Sequence, residues 1–94
     1  MRVVSKKKLV EYYNKHPNSK TALEEWHKKV SKSEWSHLNE LKQQFLSADY
    51  VVNNRVVFNL KGNDYRLIAI VIYLSQKIYV RWIGKHDEYE KINT

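Results

Sequence analysis

Apolar positions recur with a helical period through the first half of the chain and with a strand-like period through the second. After a short strand in residues 1–4, Leu9, Val10, Tyr12 and Tyr13 set up a helix that Pro17 must end near Lys15, because the proline ring cannot continue the hydrogen-bond ladder. Thr21-Ala22-Leu23-Glu24 has the spacing of a capping box, whose side chains satisfy orphan amides at a helix start. Behind it Leu23, Trp26 and Val30 fall at i, i+3 and i+7 on one apolar stripe. A further short helix is predicted from Ser33, carrying Trp35, Leu38, Leu41 and Phe45.

From Val51 onward, β-branched and aromatic runs are separated by turn chemistry at Asn53-Asn54, Lys61-Gly62-Asn63-Asp64 and Ser75-Gln76. Three or four strands in consecutive hairpins are implied. Residues 64–74 are apolar on both alternating faces apart from Arg66, so this strand belongs at the centre of the sheet with helices on one side. The polar stretch from Lys85 allows one turn of helix.

Turn length decides which side chains become neighbours, because residues directly opposite in an antiparallel pair share a face. A four-residue loop at 61–64 sets Asn59 opposite Arg66 and Arg55 opposite Ile70. A two-residue turn at Ser75-Gln76 sets Arg66 opposite Lys85 and Ile70 opposite Arg81. One face then carries the rows Asn59, Arg66, Lys85 and Arg55, Ile70, Arg81. No carboxylate lies in register to pair these cations, and burying an unpaired guanidinium is costly, so this face is expected to be open. The opposite face, with Phe58, Leu67, Ala69, Val71, Tyr73, Val80 and Trp82, is the expected core.

Composition narrows the function classes. The 94 residues suit one domain, spanning 1–94, with a core too small to enclose a large cofactor, and 43% hydrophobic content argues against disorder. Seventeen Lys and Arg against ten Asp and Glu leave a net charge of +7, which favours polyanions, nucleic acid first. No cysteine is present, so thiolate chemistry and disulfides are excluded. Neither a signal peptide nor a membrane-length apolar run stands out, and a cytoplasmic protein is expected.

The basic face is suited to an anionic backbone, since arginine grips a phosphate through two parallel hydrogen bonds. His86 and Tyr89, three residues apart, share one side of a helical turn and form the candidate proton-transfer pair. RNA offers the matching reaction: a base takes the 2′-hydroxyl proton, the oxygen attacks the adjacent phosphate, arginine stabilises the added charge, and an acid protonates the departing 5′-oxygen. Arg66, Arg81, His86 and Tyr89 are therefore the candidate catalytic residues, with Arg55, Asn59, Lys61, Asn63 and Lys85 as expected RNA contacts. His16, His27 and His37 lack a second ligand at zinc-site spacing, and neither metal nor cofactor is expected. A noncatalytic basic RNA-binding module is the alternative reading.

The segment Arg55-Val56-Val57-Phe58-Asn59-Leu60-Lys61-Gly62-Asn63-Asp64-Tyr65-Arg66-Leu67, with Tyr79-Val80-Arg81-Trp82-Ile83-Gly84-Lys85-His86-Asp87-Glu88-Tyr89, resembles the HigB-type toxins of bacterial toxin–antitoxin modules, a branch of the RelE-like ribonucleases. The resemblance implies an α+β fold in which two to three N-terminal helices pack on one face of a small, twisted, antiparallel-rich sheet. It also implies metal-independent endonuclease action on messenger RNA, commonly on the ribosome. The implied partner is a cognate antitoxin, of the helix-turn-helix HigA-like kind, through which the toxin mainly oligomerises; no membrane partner is implied. By resemblance Arg66 and Arg81 clamp the scissile phosphate, and His86 and Tyr89 share acid and base duty. Lys85 stands where the family often has threonine.

Overall fold

The computed structural model describes residues 1–62 and 64–90, so Asn63 lies outside the described residues. Strand β1 (Arg2–Val4) leads into helix α1 (Lys6–Lys15), which stops where Pro17 requires. A 3₁₀ turn (Pro17–Ser19) passes directly into α2 (Lys20–Ser31). The helix thus begins one residue before Thr21, and the expected capping box is not formed: no side-chain cap bond is present, and Ser19 Oγ donates to the His16 carbonyl instead. Leu23, Trp26 and Val30 are buried as their spacing requires.

Helix α3 (Leu38–Gln44) is shorter than expected and leaves Trp35 and Phe45 outside it. The link before it is tied down at Ser33, whose carbonyl accepts from the Met1 amino group and whose hydroxyl donates to the Lys29 carbonyl and Gln44 Oε1. Trp35 packs into the core from this extended link.

Strands β2 (Asp49–Tyr50), β3 (Arg55–Leu60), β4 (Tyr65–Ile72) and β5 (Lys77–Lys85) join β1 in a five-stranded sheet ordered β1-β5-β4-β3-β2. Among the described residues, only the β1 and β5 pair is parallel. The five strands are the expected N-terminal strand and four in the second half, of which β2 lies just before Val51, and β4 is central as its two-faced apolarity requires. One face packs Phe58, Leu67, Ala69, Val71 and Val80 against Leu9, Leu23, Trp26 and Trp35 from the helical half.

The β3–β4 register is the expected one, with Asn59 opposite Arg66 and Arg55 opposite Ile70. Lys61 and Gly62 both take positive φ (50° and 66°), the twist that closes a tight hairpin. The β4–β5 register departs from expectation twice. Ile72, not Leu74, faces Lys77, so the connection is four residues long, and Gln76 Nε2 holds it by donating to the Trp35 and Tyr73 carbonyls. Between Ile68 and Ala69 a β-bulge then makes Arg81 the extra residue, and every later position changes face.

Three expectations fall with that shift. Gly84, not Lys85, stands opposite Arg66; Lys85 pairs with the core-facing Tyr65. Tyr79, not Arg81, faces Ile70. Trp82 leaves the core side and faces Ile68, in the row beside Arg66. The Arg66 face is also less bare than expected, since Val57 and Ile68 are buried in it. The closing helix α4 (His86–Glu90), one turn long, folds Tyr89 over it.

Candidate active site

The site grows from Arg66, near the start of the central strand. Its Nη1 donates to Asn59 Oδ1 across the hairpin at 2.5 Å, and its Nε donates to His86 Nδ1 at 2.9 Å. The Tyr89 ring centroid lies 5.0 Å from the guanidinium carbon, a cation–π distance. Asn59 is itself anchored, its Nδ2 donating to the Ser47 carbonyl at 3.0 Å. Of the five N–H donors of a guanidinium, two are engaged in this way, which leaves the outer Nη2 edge to face a ligand oxygen. Among the described residues no carboxylate forms an ion pair with Arg66.

His86 is placed by its backbone and its neighbours. Its N–H donates to the Asp64 carbonyl, and Glu88 Oε1 accepts from Lys85 N at 2.9 Å, closing the first turn of α4. Because Nδ1 accepts from Arg66, the imidazole in this arrangement is neutral with its proton on Nε2. Proton-accepting capacity therefore resides on Nδ1, beneath the guanidinium.

The other sequence-predicted residues scatter around this centre. Lys61 and Lys85 line a cleft at the end of the sheet together with Asn18, Asp64 and His86, and Arg66 does not line it. Arg55 shares the Arg66 face but stands two rows away, about 13 Å at the usual strand rise. Arg81 is exposed at the bulge and lines a groove with Lys8 and Tyr12 of α1, outside the Arg66 row. The structure thus gathers Arg66, Asn59, His86 and Tyr89 and leaves Arg81 apart.

Two residues that sequence reasoning missed adjoin the cluster. The Trp82 and Tyr89 rings lie 6.2 Å apart at 52°. The Trp82 ring lies in the space a Cβ on Gly84 would take, so a side chain there would displace the ring. The spacing Trp82-Ile83-Gly84 was the available signal: an aromatic two residues from a strand glycine lies on the same face, and glycine in a strand often marks close approach.

Tyr12 lies behind the cleft wall. Its hydroxyl is buried with no partner among the described residues, and burial, with Glu88 and Tyr65 nearby, pushes its pKa up to about 12. This phenol stays protonated at neutral pH. Among the described residues no group of three His, Asp or Glu side chains converges as a cation site would require, and no helix is long and apolar enough to cross a membrane.

A small basic α+β fold built on a five-stranded, mostly antiparallel sheet is consistent with a RelE-like toxin, and comparison with known proteins agrees. The HigB toxin family, described as the RelE-like toxic component of a toxin-antitoxin system, matches residues 19–92, and this chain belongs to it. The mRNA interferase toxin HigB of Escherichia coli (strain K12) is 33% identical over 92 residues, covering 96% of this chain and 88% of that protein. The mRNA interferase HigB of Shigella flexneri matches to the same extent. That of Escherichia coli O6:H1 is 28% identical over 94 residues, 98% of this chain and 91% of that protein.

Proposed function

We propose that this toxin is an mRNA endonuclease in which Arg66 holds the scissile phosphate and His86 moves the first proton. The observation that carries the reading is the Arg66 Nε to His86 Nδ1 bond, which joins an anion clamp to a proton acceptor. A phosphate drawing the guanidinium toward its oxygens releases Nδ1. The freed nitrogen takes the 2′-hydroxyl proton, the 2′-oxygen attacks phosphorus, and Arg66 balances the added negative charge. The P–O5′ bond then breaks, leaving a 2′,3′-cyclic phosphate on one fragment and a 5′-hydroxyl on the other. In-line displacement puts the leaving oxygen opposite the nucleophile, so a second group must protonate it, and the Tyr89 hydroxyl is the donor beside Arg66.

No step in this scheme calls for a metal. The lysines of α1 and α2 supply broad attraction to RNA, and the ribosome, rich in exposed phosphate, is the surface on which the message is met. The partner is the antitoxin that a toxin–antitoxin toxin requires, and we assign it the helix-turn-helix HigA-like kind.

The test incubates messenger RNA with protein and ribosomes in excess chelator and maps the fragment ends. Cuts bearing 2′,3′-cyclic phosphate are the expected result. RNA bound in a salt-sensitive manner yet left intact would replace the nuclease with a binding module.

A further inference from the structure

Trp82 is the tryptophan that the core does not claim. Trp26 and Trp35 are 2% and 1% exposed, whereas Trp82 is only partly buried and stands outside the core cluster. The bulge at Arg81 is what moved it. Without that extra residue Trp82 would face the helices; with it, the ring lies on the Arg66 side, opposite Ile68.

The position relative to Arg66 is specific. Trp82 occupies the neighbouring row, about 6.6 Å along the strand at the usual rise per residue. Its six-membered ring leans over Gly84, the residue directly opposite Arg66, and a Cβ there would meet its Cζ2 and Cη2 atoms at 2.4 Å. The indole therefore reaches back toward the guanidinium. Tyr89 flanks it at 6.2 Å, and the 52° tilt keeps the two rings from stacking flat on one another. The result is a half-open aromatic angle beside an anion clamp.

From this juxtaposition we propose that Trp82 is a stacking platform for the unpaired RNA base adjoining the phosphate that Arg66 holds. In a nucleotide the base and its phosphate are separated by one sugar, a span comparable to the one-row offset between Arg66 and Trp82. Aromatic faces accept any base, so the platform contributes affinity and orientation with little sequence discrimination. The inference rests on the nuclease reading above and adds a base subsite to it.

The test is a fluorescence titration of the full-length chain with a 2′-O-methylated trinucleotide, which cannot be cleaved by 2′-oxygen attack. Trp26 and Trp35 are sealed in the core, so quenching reports on Trp82. The expected result is saturable quenching by the trinucleotide and none by an abasic phosphodiester of equal length. Trp82→Leu should bind roughly tenfold more weakly or worse, the scale of losing one base–aromatic stack, while Trp82→Phe stays within a fewfold of the parent. Thermal melts of both variants verify folding, and the quenching arm of the parent chain needs no variant at all. Equal quenching by the abasic strand, or unchanged affinity in a folded Trp82→Leu chain that still cleaves RNA, overturns the platform alone. A parent chain that neither binds nor cuts RNA overturns the nuclease reading and the platform together.

Discussion

Arg66 and His86, twenty residues apart in sequence, are joined by a bond from Nε to Nδ1 at 2.9 Å, so the guanidinium covers the imidazole nitrogen that carries the lone pair. In the mechanism we propose, phosphate binding and base release thereby become one event. In the absence of an anion the imidazole is held in a single tautomer by a cation that cannot itself be deprotonated at physiological pH.

Arg66→Ala should lower RNA cleavage by about 10²- to 10³-fold, the cost of removing one preorganised charge donor, with little change in melting temperature because the side chain is only half-buried. Arg66→Lys should not restore the rate, since an ammonium cannot make the planar two-point contact. Single-turnover cleavage assays decide it, and wild-type activity in either variant removes the clamp.

His86→Gln should cost roughly a hundredfold or more, the usual contribution of a general base. Tyr89→Phe keeps the ring over Arg66 but loses the hydroxyl, so it should be rescued by a substrate whose 5′-oxygen is replaced with sulfur, a leaving group that needs no proton. His86→Gln should not be rescued. If both variants recover on the thio substrate, the division of duties proposed for the pair is shared; if only His86→Gln recovers, it is reversed.

Asn59 is placed to steer Arg66, its amide being committed to Nη1 on one side and the Ser47 carbonyl on the other. Asn59→Ala should slow cleavage roughly tenfold or more, in keeping with the loss of a hydrogen bond to a charged group. Asn59→Asp keeps the acceptor oxygen but adds a negative charge that competes with phosphate for the guanidinium, so its KM should rise above that of Asn59→Ala. A purely structural asparagine would give the opposite order, the shape-preserving variant being the milder.

Tyr12 predicts an alkaline limit to stability. Its folded pKa of about 12 lies above the ordinary 10.0, so the unfolded chain loses this proton first. The stabilisation is complete below about pH 10 and disappears as pH rises toward 12. Burial also raises the Tyr73 phenol, which acts in the same direction. Denaturant melts across this range should show Tyr12→Phe less sensitive to alkali than the parent. It should be equally or more stable at neutral pH, because it removes a buried hydroxyl with no partner among the described residues. A parent and variant that lose stability in parallel would show that Tyr12 is not the alkaline group.

Local chemistry was legible wherever one short stretch settled the outcome. Pro17 ended α1, the stripe of Leu23, Trp26 and Val30 faced the core, and the turn at Lys61 and Gly62 set Asn59 against Arg66. The candidate pair His86 and Tyr89 came from spacing in one helical turn, and both meet Arg66. Expectations failed where a distant partner intervened. The Met1 amino group binds the Ser33 carbonyl in the extended link before α3, and the Trp35 carbonyl accepts from Gln76 in the longer β4–β5 connection, contacts that no local pattern encodes.

The amino-acid order alone was sufficient for the class of fold, the cationic character and the β3–β4 register, the last because it depends on one short turn; of the candidate group Arg66, Arg81, His86 and Tyr89, the structure gathers all but Arg81. Only the tertiary structure decided that Arg81 would be the extra residue of a bulge, that Lys85 would leave the Arg66 face, and that Trp82 would join it. The physical reason is the two-residue side-chain period of a strand. One unpaired residue exchanges the faces of everything after it, and where that residue falls is set by packing across the whole sheet.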